Sequence, residues 1–323
     1  MQRRSALAAA LVAILALAAA DAAAQAAYPN KPVSLIVPFP AGGRTDLIAR
    51  MVAQPLAEQL KVAAVVVNRP GASSVLGSQE VAQARPDGYT VGFFSSAAVT
   101  AQYTVPTPMN LADYELVSIV NVDPAAVAVQ AGAPWKTLAE LVAFARKNPE
   151  QVRIGMIPGA SAQIFAGGLA QAADIRMINV PFKGDADGAI ALAGGHIEAH
   201  TAVPVSYQTL VEAGKVRILA IAAEARSPLY RDVQTYRENG VDLVIGSFHG
   251  AFVPRGTPPE IVARLADAFE KSMASAEVNK QMQAAGAGVM FLKGRPAADF
   301  LARQDATYKS LIVKLGLMVA PSR

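Results

Sequence analysis

The sequence predicts an α/β protein built from parallel sheets that carry helices on both faces. Short apolar runs of strand length alternate with helical segments along nearly the whole chain, and Gly, Pro, Asn and Asp separate them. That alternation is typical of parallel sheets covered on both sides. The chain has 323 residues, a length that suggests about two domains.

The first predicted strand, Val33–Val37, is followed by a predicted helix, Asp46–Leu60. Capping boxes predict helix starts at Thr137 and Thr257, the second with proline at its first helical position. Pro296 is predicted to open the last helix and Gly316 to end it. Further strands are predicted at Val62–Val67, Tyr89–Phe94, Leu116–Val120, Ala125–Val129, Arg153–Ile157, Met177–Val180, Ile197–Thr201 and Val216–Ile221.

The N-terminal segment has the pattern of a signal peptide, predicted to span residues 1–26. Arg3 and Arg4 precede an apolar stretch at 6–20, and small residues follow up to Ala27. The stretch is shorter than the ~20 residues that a membrane span needs. We expect ordinary secretory export, with a twin-arginine route as the alternative. Because the chain has no cysteine, no lipid anchor can form on a new N-terminus, and the exported protein is expected to be soluble.

Composition and motifs argue against several other functions. The net charge of +4 is dispersed, without the basic stripe of a nucleic-acid-binding protein. The absence of cysteine also excludes disulfides and thiolate metal sites. His196, Glu198 and His200 imitate a metal-ligand spacing, but a strand would hold the two histidines ~13 Å apart. There is no Gly-x-Ser-x-Gly turn for a serine nucleophile. We therefore expect no metal, no cofactor and no catalytic residue.

The turn after the first predicted strand is the first candidate binding site. Pro38 to Asp46 reads as a glycine-rich strand-to-helix turn with Gly42 and Gly43 adjacent. Free first-turn N–H groups and the helix dipole attract an anion, and glycine lets a ligand approach the backbone. A tight turn with nothing bound fits the local sequence equally well.

Two later turns follow predicted strands in the same way. Ser161 in the turn 158–163 can cap the next helix or offer a hydroxyl to a ligand, and the sequence does not separate these roles. Lys183 in the turn 181–185 can reach an anion, although a lone lysine is usually solvated.

Several ordered motifs resemble those of the Bug-type substrate-binding receptors of tripartite tricarboxylate transporters. The resemblance covers nearly the whole chain after the signal peptide, and the order of the motifs makes it more specific than any one of them. The matching segments are Tyr28-Pro29-x-Lys31-Pro32, Pro38-Phe39-Pro40-Ala41-Gly42-Gly43-x-Thr45-Asp46, Val65-Val66-Val67-Asn68-Arg69-Pro70-Gly71-Ala72, Pro86-Asp87-Gly88-Tyr89-Thr90, Val180-Pro181-Phe182-Lys183-Gly184, Ala213-Gly214-Lys215-Val216-Arg217 and Pro254-x-Gly256-Thr257-Pro258.

The resemblance implies a type II periplasmic binding protein, with two α/β lobes joined by a hinge of crossing strands. It implies a first lobe of residues 27–122 and 246–323 and a second lobe of residues 123–245. A small organic carboxylate would bind between the lobes of a monomer, with transporter membrane subunits as possible partners. The implied ligand-binding residues are Phe39, Ala41, Gly42, Gly43, Thr45, Asp46, Ser95, Ser161, Ala162, Gln163, Lys183, Gly184, Asp185 and Thr201.

Departures from the family pattern lie mostly in the second lobe, although in the first lobe the family's Gly-Ala-Gly-Gly is Gly71-Ala72-Ser73-Ser74 in this chain. Met156, Pro158 and Ile164 replace a serine, a glycine and a histidine, and Ala202 stands where an aspartate is common. We therefore expect a carboxylate with an apolar far end, because a second charged group would be buried unpaired. Arg44 replaces a small or neutral residue, and we expect it either to pair with a ligand carboxylate or to be solvated.

Two other functions remain as alternatives to a receptor, an exported α/β enzyme and the effector lobes of a transcription regulator. A regulator would need an N-terminal helix-turn-helix, where this chain carries the predicted signal peptide. The sequence does not identify the carboxylate or say whether a transporter or a sensor is the partner.

Overall fold

A computed structural model describes residues 28–106, 109–158 and 161–319 of the chain. The predicted signal peptide, residues 1–26, lies outside the described residues. Within the described ranges, none of the helices combines the length and the apolar character needed to cross a membrane.

Two six-stranded mixed sheets form the framework. In the first sheet the order is β12-β4-β11-β3-β1-β2, with β1 parallel to β2 and β3 and with β11 antiparallel to β3 and β4. Its strands are β1 (Val33–Val37), β2 (Ala64–Asn68), β3 (Thr90–Ser95), β4 (Tyr114–Pro124), β11 (Gly246–Pro254) and β12 (Val289–Lys293).

The second sheet has the order β10-β9-β5-β8-β6-β7, with β6 parallel to β7 and β8 and with β5 antiparallel to β8 and β9. The observed sheets are therefore mixed, whereas the sequence pattern alone predicted parallel ones. The strands are β5 (Ala126–Gln130), β6 (Arg153–Met156), β7 (Ile178–Pro181), β8 (Ala199–Ala202), β9 (Val216–Ile221) and β10 (Gln234–Thr235).

Two chain segments cross between the sheets side by side. One connects β4 to β5 through Ala125, and the other enters β11 through Ile245. The amide of Ala125 donates to the carbonyl of Ile245 at 2.9 Å, which ties the two crossings together. Gly246 lies so close to Asp123 that a Cβ atom would collide with the Asp123 carbonyl. This is the two-lobed α/β fold with crossing strands that the family resemblance implied.

Ten α-helices are described, and they cover the faces of the sheets. They are α1 (Arg44–Leu60), α2 (Val75–Ala82), α3 (Ser96–Thr104), α4 (Leu138–Lys147), α5 (Ser161–Ala172), α6 (Asp185–Ala193), α7 (Gln208–Glu212), α8 (Pro259–Met273), α9 (Ala276–Ala284) and α10 (Gly294–Lys314).

A helix begins after each of the two predicted capping boxes, but only Thr137 caps its helix. Thr137 caps α4, and its hydroxyl oxygen accepts from the Glu140 amide at 3.2 Å. Thr257 does not cap α8, because its hydroxyl donates to the Pro254 carbonyl and Pro258 precedes the helix. Gly316, with a φ of +66°, follows the end of α10 as expected.

The last helix, α10, packs against elements of both lobes. It packs on α3, β4 and β12, and its last turn also packs on α5. Gly167 and Gly168 of α5 leave room for Leu315 and Leu311, since a Cβ at either glycine would press on those leucines. Helix α10 therefore joins the two lobes outside the crossing strands.

Candidate functional site

The predicted site residues lie at strand ends that face the crossings. The carboxyl ends of β1, β2 and β3 belong to the first sheet, and those of β6, β7 and β8 belong to the second. Open α/β sheets bind ligands at such carboxyl ends. The side chains of Ser96 and Ser161, one from each sheet's edge, both lie near the Tyr308 hydroxyl and partly offset the rise that burial causes in its pKa. The space between these two edges is the candidate cleft.

The turn between β1 and α1 presents free backbone donors at the cleft. Gly42, with a φ of +79°, and Gly43 are exposed, and α1 begins directly after them without a side-chain cap. Among the described residues, no group accepts from the amides of Thr45 and Asp46, whereas the Leu47 amide already donates to the Gly43 carbonyl. Two adjacent first-turn amides at the start of a 17-residue helix favour a bound anion.

Asp46 holds the turn in shape and is not itself open to a ligand. Its side chain is buried, and its carboxylate accepts from the Gly42 amide at 2.8 Å, from Arg50 at 2.9 Å and from Asn68 at 2.9 Å. Burial by itself would raise the pKa of Asp46, but the hydrogen bonds from Arg50, Gly42 and Asn68 outweigh it and lower the pKa. Asp46 is thus an ionised brace of the turn.

The amides of the two glycines already have acceptors. The Gly42 amide donates to the Asp46 carboxylate, and the Gly43 amide donates to the Pro40 carbonyl at 3.4 Å. Among the described residues, the amides of Arg44, Thr45 and Asp46, directly after Gly43, have no acceptor and are the donors left for an anion. The Phe39 carbonyl accepts a hydrogen bond from the Asn68 side chain at 3.1 Å, and Phe39 is half-buried. Ala41 is exposed on the turn.

Arg44 is neither free for a ligand nor merely solvated. Its guanidinium donates to the buried Asp123 carboxylate at 3.0 Å and 2.6 Å and to the Ala285 carbonyl at 3.3 Å. Asp123 also accepts from the Gly288 amide at 2.9 Å. Because Asp123 adjoins a crossing, this pair ties the start of α1 to the hinge.

A second departure from the family pattern strains the segment after β2. Ala72, Ser73 and Ser74 all have positive φ, at 45°, 53° and 83°. Such left-handed conformations cost a residue with a side chain roughly 1–2 kcal/mol relative to glycine. The family's Gly-Ala-Gly-Gly would relieve the strain at two of these positions, which this chain fills with serine.

The three candidates at the start of α5 are buried or half-buried. The hydroxyl of the buried Thr201 donates to the carbonyl of the buried Ala162 at 3.2 Å. Ser161 and Gln163 are half-buried. Ser95, on the opposite edge, is buried and caps α3 by accepting from the Ala97 amide at 3.3 Å.

The turn after β7 offers groups that face solvent. Lys183 is exposed, and Gly184 has an extended backbone with open space where a Cβ atom would stand. Asp185 opens α6 and accepts from the Ser206 hydroxyl at 3.4 Å, while its second carboxylate oxygen is buried without a partner in the described chain. Burial raises the pKa of Asp185. An ionised Asp185 would repel a second carboxylate on a ligand, and its unpartnered oxygen can accept a hydrogen bond.

The sequence analysis missed several residues that shape the site. Asn68 ends β2 and bonds to Asp46, and Asp123 ends β4 and bonds to Arg44. Tyr308 lies on α10, fully buried, and donates to the Gly246 carbonyl at 2.8 Å. Only the Asn68 position had a sequence signal, because it belongs to a matching family motif.

The three residues with metal-like spacing do not converge. Glu198 pairs with Arg153 at 2.6 Å, and His200 is buried with its Nδ1 atom 3.0 Å from the Tyr207 hydroxyl. His196 is exposed. Within the described ranges, no three side chains of metal-ligating type come together.

We expect the fold to weaken in mild acid because two histidines are buried. Burial lowers the pKa of His200 and of His249 to about 4. Between that value and about 6.5 the unfolded chain binds protons that the folded chain does not, so the free energy of unfolding falls as pH falls. Each histidine is expected to cost about 2 kcal/mol at pH 5 relative to pH 7.

Urea unfolding at pH 7 and pH 5 measures this effect. His249→Gln should remove about half of the pH dependence, and His196→Gln, at an exposed position, should leave it unchanged. Equal pH dependence in wild type and His249→Gln would contradict the expectation.

Two α/β lobes, two crossings and turns with free donors at facing strand ends define a solute-binding protein. The model of the tripartite tricarboxylate transporter family receptor, TctC, matches residues 48–317. The chain belongs to this family of receptors.

Individual relatives agree with that placement. A UPF0065 protein of Cupriavidus necator is 32% identical over 337 residues, which cover 99% of this chain and 100% of the relative. The crystal structure of a TctC solute binding protein from Polaromonas, without ligand, has a TM-score of 0.84 and 34% identity over 89% of this chain and 100% of that chain. An R. palustris protein solved with adipate has a TM-score of 0.72 and 26% identity over 92% and 100% of the chains.

Proposed function

We propose that this receptor captures a small organic carboxylate between its lobes in the periplasm, for uptake or sensing. The observation that carries the proposal is the exposed turn at Gly42 and Gly43, with free amides at Thr45 and Asp46 and the Asp46 brace behind it. The adipate bound to the R. palustris protein supports a carboxylate as ligand. We further propose that the lobes comprise residues 27–122 with 246–323 and residues 123–245.

The proposed ligand has one carboxylate and an uncharged, mainly apolar remainder. Asp185 stands at the far side of the cleft and opposes a second carboxylate, and Ala202 is buried and adds no polar group. A hydroxyl near Asp185 would satisfy its unpartnered oxygen. Tight binding of an acidic amino acid, with no binding of monocarboxylates that have apolar tails, would contradict this ligand class.

The proposed mechanism is closure without chemistry. The carboxylate first binds the turn before α1, and rotation about the crossings at Ala125 and Ile245 then brings the Lys183–Asp185 turn onto it. A ligand can drive closure only by binding the closed form more tightly than the open form. The membrane subunits of a tripartite tricarboxylate transporter are the proposed recipients of the closed form, and the receptor is proposed to act as a monomer.

A thermal-shift screen of mono- and dicarboxylates tests the function. A ligand at about 100 times its Kd adds about 2.7 kcal/mol to the stability of the folded state. Proton NMR of the ligand after incubation should show it chemically unchanged, whereas turnover would favour an exported enzyme. If no carboxylate raises the melting temperature, the proposed function is wrong.

We expect Gly184→Val to weaken binding of the carboxylate that the screen identifies by roughly tenfold or more, which corresponds to about 1.4 kcal/mol. The extended backbone of Gly184 accepts valine, and the new side chain fills open space in the cleft. Isothermal titration measures the affinity.

Gly132→Val is the matched control, because Gly132 is exposed and has no left-handed φ. Gly42→Val is less suitable, since the φ of +79° at Gly42 would strain the turn whatever the ligand does. Unchanged affinity in Gly184→Val would place the ligand elsewhere.

A further inference from the structure

A cavity of about 410 Å³ lies behind the crossings, on the side away from the cleft. It adjoins both crossing segments, at Val122 to Pro124 and Val244 to Gly246, and it opens between the start of β12 and the segment after β9. We call it the hinge pocket. None of the residues implied to bind the carboxylate lines it.

The walls of the hinge pocket come from both lobes and are mainly apolar. Leu229 follows β9, Val289 and Met290 lie in β12, and Phe300 lies in α10. Leu229, Val289 and Met290 are exposed by 37%, 39% and 42%, although all three are large apolar side chains. Three such residues around one cavity form a surface that an apolar molecule would cover.

The charged residues at the mouth are already neutralised. Glu224 pairs with Arg237 at 2.6 Å, and Arg226 pairs with Glu238 at 2.7 Å. A charged ligand would therefore meet no free opposite charge from these residues, which favours a neutral occupant.

Gln304 adds one unsatisfied polar group to this apolar wall. The residue is 7% exposed, and its amide oxygen is buried without a hydrogen-bond partner in the described part of the chain. A buried polar atom without a partner is costly, so a molecule that supplies the missing hydrogen bond gains affinity. The position of Gln304 is well supported, because Tyr308 one turn later is anchored to the Gly246 carbonyl.

We propose that the hinge pocket is a second ligand site, for a small, neutral, mainly apolar molecule that donates one hydrogen bond to Gln304. Its volume falls in the range of about 300–1,000 Å³ that is usual for small-molecule sites. The site is chemically distinct from the cleft, whose donors attract an anion. Its two walls belong to different lobes, so rotation about the crossings changes its shape.

Isothermal titration of the full chain without its signal peptide with 2-naphthol tests the site, with 2-methoxynaphthalene as a probe that lacks the donor. We expect saturable 1:1 binding of 2-naphthol. Gln304→Leu should weaken 2-naphthol binding roughly tenfold, while it leaves the affinity for 2-methoxynaphthalene within about threefold.

A second variant keeps the test decisive if Gln304→Leu does not fold. Leu229→Arg charges an exposed part of the wall and should weaken both probes more than about tenfold. Ile190→Arg is the matched control, since Ile190 is 65% exposed on α6, away from the pocket, and it should change neither affinity. Absence of saturable 2-naphthol binding, or binding unchanged in Leu229→Arg, overturns the proposal. No carboxylate enters this experiment, so its outcome is independent of the function proposed for the cleft.

Discussion

Replacing Asp46 by alanine is expected to weaken carboxylate binding roughly 10- to 100-fold, because the turn before α1 loses its shape. Asp46 fixes the Gly42 amide, and Asn68, which bonds to Asp46, also holds the Phe39 carbonyl. Ordering a residue costs about 1–2 kcal/mol, so a ligand that must order the turn binds more weakly by the cost of ordering it. Isothermal titration of wild type and Asp46→Ala measures this loss.

The same substitution should lower the free energy of unfolding by roughly 1–3 kcal/mol. Arg50 and Gly42 remain partly solvated when Asp46 is removed, which limits the loss. Since the folded state lowers the pKa of Asp46, its contribution is present above the unfolded pKa of about 3.9 and disappears as pH falls through the folded pKa.

Two variants separate the brace from the charge. Asp46→Asn keeps the size and one acceptor oxygen but turns its NH2 group toward either Asn68 or Gly42 and Arg50, so it should weaken binding less than Asp46→Ala does. Arg50→Gln removes the exposed partner of Asp46 and should cost at most about 1 kcal/mol of stability. If Asp46→Ala binds as tightly as wild type, the turn does not need the brace, and the carboxylate does not depend on it.

Replacing Asp123 by alanine is expected to lower the free energy of unfolding by about 3–5 kcal/mol, the usual loss when one partner of a buried ion pair is removed. Asp123 accepts from Arg44, Asn121 and the Gly288 amide, and its side chain is 4% exposed. The substitution leaves the partly buried Arg44 guanidinium without its counterion. Urea unfolding monitored by circular dichroism measures the change.

A double-mutant cycle with Arg44→Ala isolates the pair. The coupling energy between Arg44 and Asp123 should be about 1–3 kcal/mol, in the range known for contacting residues. Arg237→Ala is the matched control, because Arg237 pairs with the exposed Glu224 and Asp242 and should change stability by at most about 1 kcal/mol. If Arg44→Ala abolishes ligand binding without loss of stability, Arg44 contacts the ligand and the pair with Asp123 is incidental.

The α/β class, the two-lobed fold and the receptor family were all predicted from the sequence, since each depends on local patterns or ordered motifs. Strand Val33–Val37 was located within its observed bounds, and the end of α10 was read from Gly316. The lobe boundaries and the ligand-binding residues remain predictions. The cap predicted at Thr257 is wrong because its hydroxyl donates to the carbonyl of Pro254, three residues earlier in the chain. The spacing from Thr257 to Glu260 nevertheless fits a capping box.

The sequence by itself located strands β1 to β9 and the glycine-rich turns, because strand periodicity and backbone conformation depend on residues a few positions apart, whereas β10, β11 and β12 were not predicted. Only the tertiary structure decided what the site's side chains do. Asp46 meets Asn68 22 positions away, Arg44 meets Asp123 79 positions away, and Tyr308 meets Gly246 62 positions away. Such partners depend on the path of the chain through two sheets, which no local pattern encodes. For the same reason, the family resemblance implied a ligand-binding role for Asp46 but did not predict its bonds to Gly42, Arg50 and Asn68.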